Sequence, residues 1–486
     1  MLLDPALNCC PEQIGGTTKI VCGHIHFMGI CGTGVGALAG MLQAQGYKVT
    51  GSDQAVYPPM SDFLASLGIK VMSGYDPQNL SPPPDLVIVG NVITRQNPEA
   101  LALAAKRIPY LSMPQALGQF FLAGKTSLVV SGTHGKTTTS SMLATILHFA
   151  GFDPGFMIGG LVKEFGRNFN IGRGPFVVEG DEYDTAFFDK GPKFLHYQPQ
   201  IAIITSIEFD HADIYTDLEA IKSSFRKLVG IMPADGRLIV NLDDPVVQEV
   251  VRDADCPVLG YGQTEGLSWV LDELELKEDG AHFTALKDGG LFGRFRCPMP
   301  GRHNAMNSLA VLAVLDQLGL SAADCGRYLT KFPGVCRRQE VRGEVGGVLV
   351  IDDFAHHPTA VRETLAALRA AYAGRRLRAV FEPRTNSSRR KIFQNIYPQV
   401  FGDADEIIVK EPVPLTNVPL DEQFSARQLI ADLQKKGDIA KYFASTEEIL
   451  AYLNDSASVG DVIAIMSNGG FDNIHTRLLE CLEKKG

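Results

Sequence analysis

Short apolar runs alternate with helix-type apolar patterns along most of the 486-residue chain, and this alternation limits the possible folds more than any other feature. The runs HIHFMG, KVTGSD and DLVIVG predict strands, and GALAGMLQAQG, between the first two, predicts a helix. Strands that alternate with helices form a mainly parallel sheet covered by helices. The sequence therefore predicts an α/β protein.

Three such series follow one another, which predicts three domains. The first covers residues 1–124, with 1–23 as an N-terminal extension, the second 125–338 and the third 339–486. Residues 267–297 alternate in polarity around KEDG and KDGG, which predicts antiparallel hairpins in the second domain. We therefore predict a Rossmann-like N-terminal domain, a central mixed-sheet domain of the P-loop ATPase type, and a Rossmann-like C-terminal domain.

Composition argues against several classes of function. The net charge is −10 at pH 7, so the chain as a whole attracts neither nucleic acid nor membrane surfaces. The nine cysteines contain no C-x-x-C pair, which argues against a disulfide framework or a zinc site and favours a reducing compartment. No signal peptide and no run of about 18 apolar residues occurs. We expect a cytoplasmic protein without membrane insertion or an obligatory protein partner.

The first glycine-rich turn, FMGICGTGVGALAG, follows a predicted strand and opens a helix. Gly32, Gly34 and Ala37 fit the dinucleotide-binding pattern, and Asp53 ends the next strand about 20 residues later. Such glycines let a diphosphate approach the N-terminus of a helix. This turn predicts binding of a dinucleotide or a nucleotide-diphosphate sugar, and by itself it also fits a nicotinamide-dependent dehydrogenase. Tight packing of the strand on the helix is the alternative without a ligand.

The second turn, VVSGTHGKTTTSSM at residues 129–142, departs from the usual phosphate-loop pattern because Val130 replaces the first glycine. A strand still leads directly into a helix, predicted from about Lys136 to Phe149. Gly132 and Gly135 permit a tight bend, Lys136 supplies charge for phosphates, and Thr137 can bind Mg²⁺. The sequence predicts a phosphate loop, and a capped helix with an incidental lysine is the alternative.

Two acidic clusters follow predicted strands of the same domain. In VVEGDEYD, Glu179 ends a strand and Asp181, Glu182 and Asp184 follow it; TSIEFDHADIY contains Glu208, Asp210, His211 and Asp213. Carboxylate oxygens are the ligands that Mg²⁺ prefers. Two clusters at strand ends beside a phosphate loop predict a site for magnesium and a triphosphate.

Six motifs occur in an order that joins the three predicted domains: the phosphate loop, the strand-end glutamate, Asp210-His211, GRHNAMN, GVCRR and DDFAHHPTA. In this order the chain resembles, from about residue 24 onward, the Mur ligases, the ATP-dependent amide-forming enzymes of bacterial cell-wall precursor synthesis. The resemblance implies an N-terminal domain for a UDP sugar, a central ATPase domain and a C-terminal domain for the amine substrate. It implies ATP and Mg²⁺ as cofactors.

The resemblance also implies roles for individual residues. The residues implied for ATP binding are Gly132, Thr133, His134, Gly135, Lys136, Thr137, Thr138, Asn304, Asn307 and Arg338, with Arg337 as the competing arginine. The implied metal ligands are Thr137 and Glu179 for a first Mg²⁺ and His211 for a second, and the UDP-sugar residues are Gly29, Gly32, Thr33, Gly34, Asp53 and Asn91.

The third domain is expected to act on the incoming amine. Asp353 resembles an acid that meets the reacting groups, and either Asp353 or His356 is expected to accept or position the amine's proton. The residues expected to bind the peptide are His357, Arg384 and Asn386. The alternative for His356 and His357 is a pair satisfied by local hydrogen bonds. With Lys136, Glu179, His211 and Arg338, Asp353 and His356 complete the expected catalytic set.

Two activities compete within the family. Phe225 stands where several sister ligases carry a modified lysine, with Lys222 and Lys227 nearby, and this favours the branch that acts directly on UDP-N-acetylmuramate. In that branch EPRTNSS and MSNGGFDNIH resemble the ligases of peptidoglycan recycling, which attach the tripeptide L-alanyl-γ-D-glutamyl-meso-diaminopimelate. Addition of L-alanine is the alternative. A nicotinamide dehydrogenase and a nucleotide-dependent switch or scaffold are the rivals from other classes.

Overall fold

A computed structural model describes residues 3–11, 22–58 and 60–485. The first domain is built on a five-stranded sheet in the order β3-β2-β1-β4-β5, and all its paired strands are parallel. The strands are β1 His24–Met28, β2 Lys48–Asp53, β3 Lys70–Ser73, β4 Leu86–Val89 and β5 Tyr110–Ser112. The helices are α1 Thr33–Ala44, α2 Met60–Ser66, α3 Pro98–Lys106 and α4 Met113–Leu117. This is the predicted Rossmann-like arrangement.

The second domain is built on a ten-stranded mixed sheet in the order β17-β16-β15-β14-β13-β12-β6-β9-β7-β8. Its strands are β6 Ser127–Ser131, β7 Gly155–Val162, β8 Arg167–Asn170, β9 Phe176–Gly180, β12 Ile201–Ile204, β13 Arg237–Asn241, β14 Val258–Gly262, β15 Trp269–Lys277, β16 Gly280–Lys287 and β17 Gly290–Cys297. A separate hairpin joins β10 Asp184–Ala186 to β11 Asp189–Pro192. The helices are α5 Lys136–Phe149, α6 Leu218–Gly230, α7 Pro245–Val250, α8 Arg302–Gln317 and α9 Ala322–Leu329.

Two predictions for this domain are confirmed. The strands β15, β16 and β17 form consecutive antiparallel pairs within residues 267–297. The helix α5 begins at Lys136 and ends at Phe149. Strands β7 and β8 were not predicted; they extend the sheet beyond β9 through one parallel and one antiparallel pairing.

The third domain has a six-stranded sheet in the order β18-β19-β23-β20-β21-β22, in which only β18 is antiparallel to its neighbour among the described residues. The strands are β18 Glu340–Val345, β19 Val348–Asp353, β20 Arg376–Phe381, β21 Glu406–Lys410, β22 Ala440–Phe443 and β23 Asp461–Met466. The helices are α10 Pro358–Ala371, α11 Ala426–Lys435, α12 Thr446–Ser456 and α13 Ile474–Lys485. Apolar clusters cover both faces, as expected for a parallel sheet.

The three domains pack directly on one another. The first and second share an apolar core, in which Phe169 of β8 contacts Phe63 of the first domain edge to face at 6.1 Å. The described part of the N-terminal extension belongs to this unit, because Asn8 donates hydrogen bonds to Tyr110 O and Gln115. The rest of the extension, 1–2 and 12–21, lies outside the described residues. Among the described helices none is long and apolar enough to cross a bilayer.

Candidate active site

The turn between β6 and α5 has the shape of a phosphate loop although Val130 is a buried strand residue. Gly132 has a φ of 132° and Gly135 a φ of 81°, and other residues rarely adopt these conformations. A side chain at Gly132 would also collide with Thr205, and one at Gly135 would lie 2.7 Å from Asn307 Oδ1. Gly132 and Gly135 therefore supply the conformational freedom and the space that this turn requires. A glycine at position 130 is not needed for the bend.

The first half of this loop is held by the segment that follows β12. Thr133 donates its N–H to Ser206 O at 2.9 Å, and His134 donates its N–H to Ser206 Oγ at 3.2 Å. These two N–H groups therefore have partners within the protein. The N–H groups of the first turn of α5, from Lys136 to Thr138, have no carbonyl acceptor within the helix. An anion would therefore meet the helix start rather than the N–H groups of Thr133 and His134.

Lys136 lies in a buried charge cluster at the start of α5. Its Nζ donates to Gly132 O at 2.6 Å and lies 3.1 Å from Glu182 Oε2. The other oxygen of Glu182 is 3.5 Å from His211 Nε2, and the Glu182 side chain is only 2% exposed. Burial opposes the charge on Lys136, but Glu182 and Asp181 raise its pKa above the ordinary value. Lys136 is therefore a fixed cation at the loop.

Glu182 is the residue of this cluster that the sequence analysis did not select. It stood in VVEGDEYD among four acidic residues, and nothing in the spacing distinguished it from Asp181 or Asp184. Burial works against its charge, but Lys136 and His211 lower its pKa below the ordinary value. Glu182 thus joins the phosphate-loop lysine to the histidine that follows β12.

Thr137 and Glu179 supply neighbouring oxygen atoms at the loop. The Thr137 side chain is close enough to the Glu179 carboxylate to lower its pKa, and this carboxylate accepts the Gly159 N–H at 2.8 Å. Burial and Asp181 raise the pKa of Glu179 above its ordinary value. A hydroxyl and a carboxylate at one point are the hard donors that suit Mg²⁺. The pair predicted as ligands of the first metal is therefore brought together.

His211 is the predicted ligand of a second metal, and its backbone is held in an unusual conformation. Its φ is 53°, which is uncommon for a residue other than glycine and costs of order 1–3 kcal/mol. Burial lowers the pKa of the ring, but the hydrogen bond and charge of Glu182 raise it by more. The pKa of His211 therefore lies above its ordinary value. Strained residues of this kind cluster at functional sites.

The structure separates the two candidate arginines. Arg338 Nη2 donates to Thr137 Oγ1 at 3.3 Å, and its guanidinium lies 4.4 Å from the Phe354 ring centroid. Arg337 instead donates to Ser467 O and Gly469 O, both at 2.6 Å, within the third domain. Of the two, only Arg338 reaches the phosphate loop in this arrangement.

Two asparagines of α8 border the loop from the other side. Asn307 lies against Gly135, as the distance above requires, while Asn304 donates to Pro300 O at 2.7 Å and to Gln339 at 3.0 Å. Both side chains are buried. Asn304 therefore contacts Gln339, which lies in the linker between the second and third domains.

Asp353, at the end of β19, uses both of its carboxylate oxygens within the protein. One oxygen accepts the Gln339 N–H at 2.7 Å, and the other accepts the Ala355 N–H at 2.8 Å and the Thr364 hydroxyl at 3.2 Å. Burial raises its pKa, although Arg338 opposes the shift. This geometry makes Asp353 an organiser of the linker and gives no support to direct contact with the reacting groups.

A cavity of about 320 Å³ opens between the second and third domains. Asp210, His211 and Asp213 line its central-domain side. The lining residues from the third domain are His356, Arg384, Thr385, Asn386, Ser387 and Asn468. Asn386 donates to Asp213 at 2.9 Å and Ser387 accepts the Ala212 N–H at 3.2 Å, so hydrogen bonds cross between the domains here. One side of the cavity is acidic and the other carries a guanidinium.

The two histidines of DDFAHHPTA lie in different places. His356 lines the cavity, with Nε2 4.0 Å from Asp210 and Nδ1 3.0 Å from Phe354 O. His357 caps α10 by accepting the Thr359 N–H at 3.3 Å, and it contacts Phe209 O and Glu208 outside the cavity. The expected peptide contact of His357 has no support in this geometry. Burial lowers the pKa of His357 to about 4, so its ring is neutral at pH 7.

Arg384 and Asn386, the other expected peptide residues, do line the cavity. The Arg384 side chain is 52% exposed and lies 3.8 Å from its nearest carboxylate, Glu382. It rests on Gly469, where any side chain would collide with the guanidinium. An exposed, planar donor in this place can pair with a substrate carboxylate.

The residues predicted for the UDP sugar meet at the carboxyl-terminal edge of the first sheet. Gly32 caps α1, which begins at Thr33 and Gly34, while Asn91 follows β4 and is exposed. Gly29 has a φ of 81°. Asp53 accepts the Cys31 N–H at 2.8 Å and the Ala55 N–H at 3.0 Å, so its carboxylate holds the turn itself. The ribose contact of Asp53 stays a prediction.

Phe225, which stands where the sister ligases carry a modified lysine, is fully buried in α6. Lys222 points elsewhere and pairs with Glu219 and Glu249 at 2.9 and 2.7 Å. Neither position therefore brings an ammonium group or its derivative to the phosphate loop.

Comparison with known families gives matches in all three domains. Residues 24–125 match the model described as Mur ligase family, catalytic domain, residues 130–315 match Mur ligase middle domain, and residues 337–469 match Mur ligase, glutamate ligase domain.

Individual proteins match over nearly the whole chain. The UDP-N-acetylmuramate–L-alanyl-γ-D-glutamyl-meso-2,6-diaminoheptandioate ligase of Escherichia coli K12 is 41% identical, covering 95% of this chain and 99% of its own. A UDP-N-acetylmuramate–L-alanine ligase of Alkaliphilus metalliredigens is 33% identical, covering 92% and 95%. The crystal structure of a murein peptide ligase from Psychrobacter arcticus 273-4 superposes with a TM-score of 0.70 at 35% identity, covering 95% and 98%.

Proposed function

The chain belongs to the Mur ligase family of ATP-dependent, amide-forming enzymes, and we propose that it joins L-alanyl-γ-D-glutamyl-meso-diaminopimelate to UDP-N-acetylmuramate. This reaction would return a recycled peptide to peptidoglycan synthesis. The observation that carries the substrate assignment is the interdomain cavity of about 320 Å³, which has an acidic side at Asp210 and a guanidinium at Arg384. A free L-alanine would leave most of such a cavity empty.

The polarity of the cavity supports an orientation for the peptide. Its terminal amine suits the acidic side of the cavity, at Asp210 and Asp213. His211 lies on the same side and contacts Glu182, the partner of Lys136. Its carboxylates suit Arg384 and the amide of Asn386. With this orientation the amine points towards the phosphate loop and the remainder of the peptide extends along the third domain.

The chemistry has to overcome the low reactivity of a carboxylate towards amines. An oxygen of the lactyl carboxylate attacks the γ-phosphorus of ATP and ADP leaves, which gives an acyl phosphate. The amine then attacks the carbonyl carbon, and phosphate leaves as the C–O bond breaks and the amide C–N bond remains. Both steps collect negative charge, which Lys136 and the first N–H groups of α5 would stabilise from fixed positions.

We also propose Mg²⁺ as the second cofactor, held by Thr137 and Glu179. Their adjacent hydroxyl and carboxylate fit a hard cation, and Arg338 contacts the same threonine. A bound Mg²⁺ ion would neutralise charge on the phosphates. His211, predicted as a ligand of a second ion, lies 3.5 Å from Glu182, which pairs with Lys136 of the phosphate loop.

His356 is the best-placed proton acceptor for the amine. Its Nδ1 faces the carbonyl oxygen of Phe354 at 3.0 Å, and because a carbonyl only accepts, Nδ1 carries the proton. The lone pair is then on Nε2, near Asp210 in the cavity. Burial lowers the pKa of His356, so the ring is neutral at pH 7. This assignment favours His356 over Asp353 as the base.

We propose domain boundaries near residues 124 and 338. The supporting observation at the second boundary is that Val335 still bridges to Val162 of the central sheet, while Gln339 donates to Asp353 of the third domain.

The deciding experiment is a competition assay with mass detection of products. UDP-N-acetylmuramate, ATP and Mg²⁺ are supplied with equal amounts of L-alanine, the diaminopimelate tripeptide and its lysine analogue. We expect ADP release to require both acceptor and amine, and the tripeptide product to dominate. A faster reaction with free L-alanine would refute the substrate assignment while leaving the ligase chemistry intact, and ATP hydrolysis without an amide product would refute both.

A further inference from the structure

His134, Glu208 and His357 meet where the phosphate loop of the second domain touches the start of α10 in the third. One ligand atom from each lies within 4.8 Å of those of the other two. Glu208 Oε2 is 3.3 Å from His134 Nε2 and 3.5 Å from His357 Nδ1. We propose that these three side chains form an interdomain site for a transition-metal ion of the zinc class, distinct from the Mg²⁺ of the nucleotide.

The separations suit such an ion. Zinc bonds to imidazole nitrogen and carboxylate oxygen of about 2.0–2.1 Å, in tetrahedral geometry, place neighbouring ligand atoms about 3.3–3.4 Å apart. The two distances to Glu208 Oε2 are close to this value. Two imidazoles and one carboxylate, with a fourth position left for water, also form a donor set that favours zinc over magnesium.

The surroundings of the ligands are those of a metal site. Metal-binding histidines usually donate their second ring N–H to a carbonyl, and ligating carboxylates are themselves hydrogen-bonded. His357 Nε2 lies 3.2 Å from Phe209 O, which fixes the tautomer with the lone pair on Nδ1. Glu208 Oε2 accepts the Thr359 hydroxyl at 2.7 Å. An ion would replace two long contacts of 3.3 Å, one from the Thr359 N–H to His357 Nδ1 and one between His134 Nε2 and Glu208 Oε2.

The absence of a C-x-x-C pair speaks against a zinc site made of cysteines. This cluster contains no cysteine, so that absence does not bear on it. The three residues are 74 and 149 positions apart along the chain (134 to 208 and 208 to 357), so no local spacing pattern announces them. Only the contact between the two domains brings them together.

Occupation of this site would have a mechanical consequence. Two ligands belong to the central domain and one to the third, so an ion would tie the domains together beside the phosphate loop.

The test measures metal binding by the full-length protein without substrates, so its result does not depend on the proposed reaction. Co²⁺ serves as the spectroscopic probe and Zn²⁺ is titrated against a chromophoric chelator, both with excess Mg²⁺. We expect one equivalent to bind, with the absorption bands of four-coordinate Co²⁺. Glu208→Gln and His357→Asn should weaken binding by at least about 100-fold, since loss of even an outer-shell partner costs 10–100-fold.

Two controls separate this site from its neighbours. His356→Asn changes the adjacent histidine, which is not in the cluster, and His211→Asn changes a predicted magnesium ligand; both should keep the binding. Asparagine at position 357 remains a good helix cap, so α10 should be retained. Absence of stoichiometric binding in the wild type, or binding that survives Glu208→Gln and is lost in His211→Asn, would overturn the proposal.

Discussion

The two glycine-rich turns of this protein share a local design but have different surroundings. Each follows a buried strand and opens a helix, at β1–α1 and at β6–α5. At the first turn, Asp53 accepts two backbone N–H groups, and the turn carries no lysine. At the second, Lys136 and Glu182 form a buried ion pair, and the partly exposed His211 lies beside Glu182. The strand–turn–helix unit of each turn thus presents a helix N-terminus that suits an anion, and the second turn adds fixed charges of the kind that stabilise a transition state.

The largest expected effect comes from removing the fixed charge of the second turn. Lys136→Ala should lower kcat by about 10² to 10³, as loss of one preorganised group typically does. Lys222→Ala, a lysine paired on α6, is the matched control and should leave kcat nearly unchanged. Rates are measured as ADP release with saturating substrates, and circular dichroism checks the fold. Near-normal turnover of Lys136→Ala would show that the charge of Lys136 does not give the second turn a part in the chemistry.

The second prediction concerns the pH dependence of amide formation. The pKa of His356 is lowered by burial, so protonation of Nε2, and the loss of its function as a base, occurs below pH 6.5. His356→Gln should lower kcat/KM by about 10² and abolish that acid limb. The measurement is a pH profile of kcat/KM for the peptide. An unchanged acid limb in the variant would assign the proton transfer to another group.

The third prediction compares one glycine from each of the two turns. Gly132→Ala should destabilise the protein by about 1–3 kcal/mol, because the new methyl group would collide with Thr205 at a φ of 132°. Gly34→Ala should change stability by less than about 1 kcal/mol, since its nearest contact would be Met113 Cε at 3.4 Å. Denaturant unfolding of both variants gives the two values. Equal losses would show that the turns are under the same constraint.

The smallest expected effect tests whether the first turn binds UDP-N-acetylmuramate without taking part in the chemical steps. Asp53→Asn weakens two charge-assisted hydrogen bonds to the backbone of the turn and should raise the KM for UDP-N-acetylmuramate about 10-fold. The value of kcat should remain within about twofold, because a loss confined to binding affects ground and transition states alike. A selective fall in kcat would mean that the first turn takes part in the chemistry.

Much of the fold and part of the site followed from local patterns. The start of α5 at Lys136, the hairpins of β15 to β17 and the parallel series of the first domain depend on residues close together in sequence, and these predictions are confirmed. The strands β7 and β8 were missed because GFMIGGLV contains three glycines and lacks a clear strand pattern. Local rules work where local interactions decide the structure.

The contributions of Glu182, Asp353 and His357 depended on contacts between distant segments. Glu182 contacts Lys136 and His211, which are distant from it in sequence. Asp353 accepts a hydrogen bond from Gln339 in the linker. His357 contacts Phe209 and Glu208 of the central domain. A carboxylate or an imidazole has several possible partners, and the sequence does not state which of them comes within 3–4 Å.

By itself, the sequence determined the three α/β units, the two glycine-rich turns and the order of motifs that identifies the family, because strand and helix periodicity and turn chemistry act over a few residues. The tertiary structure alone decided which arginine reaches the phosphate loop, which histidine faces the cavity and which carboxylates are already occupied. Electrostatic and hydrogen-bond energies depend on distance and burial, and both are set only when the domains pack together.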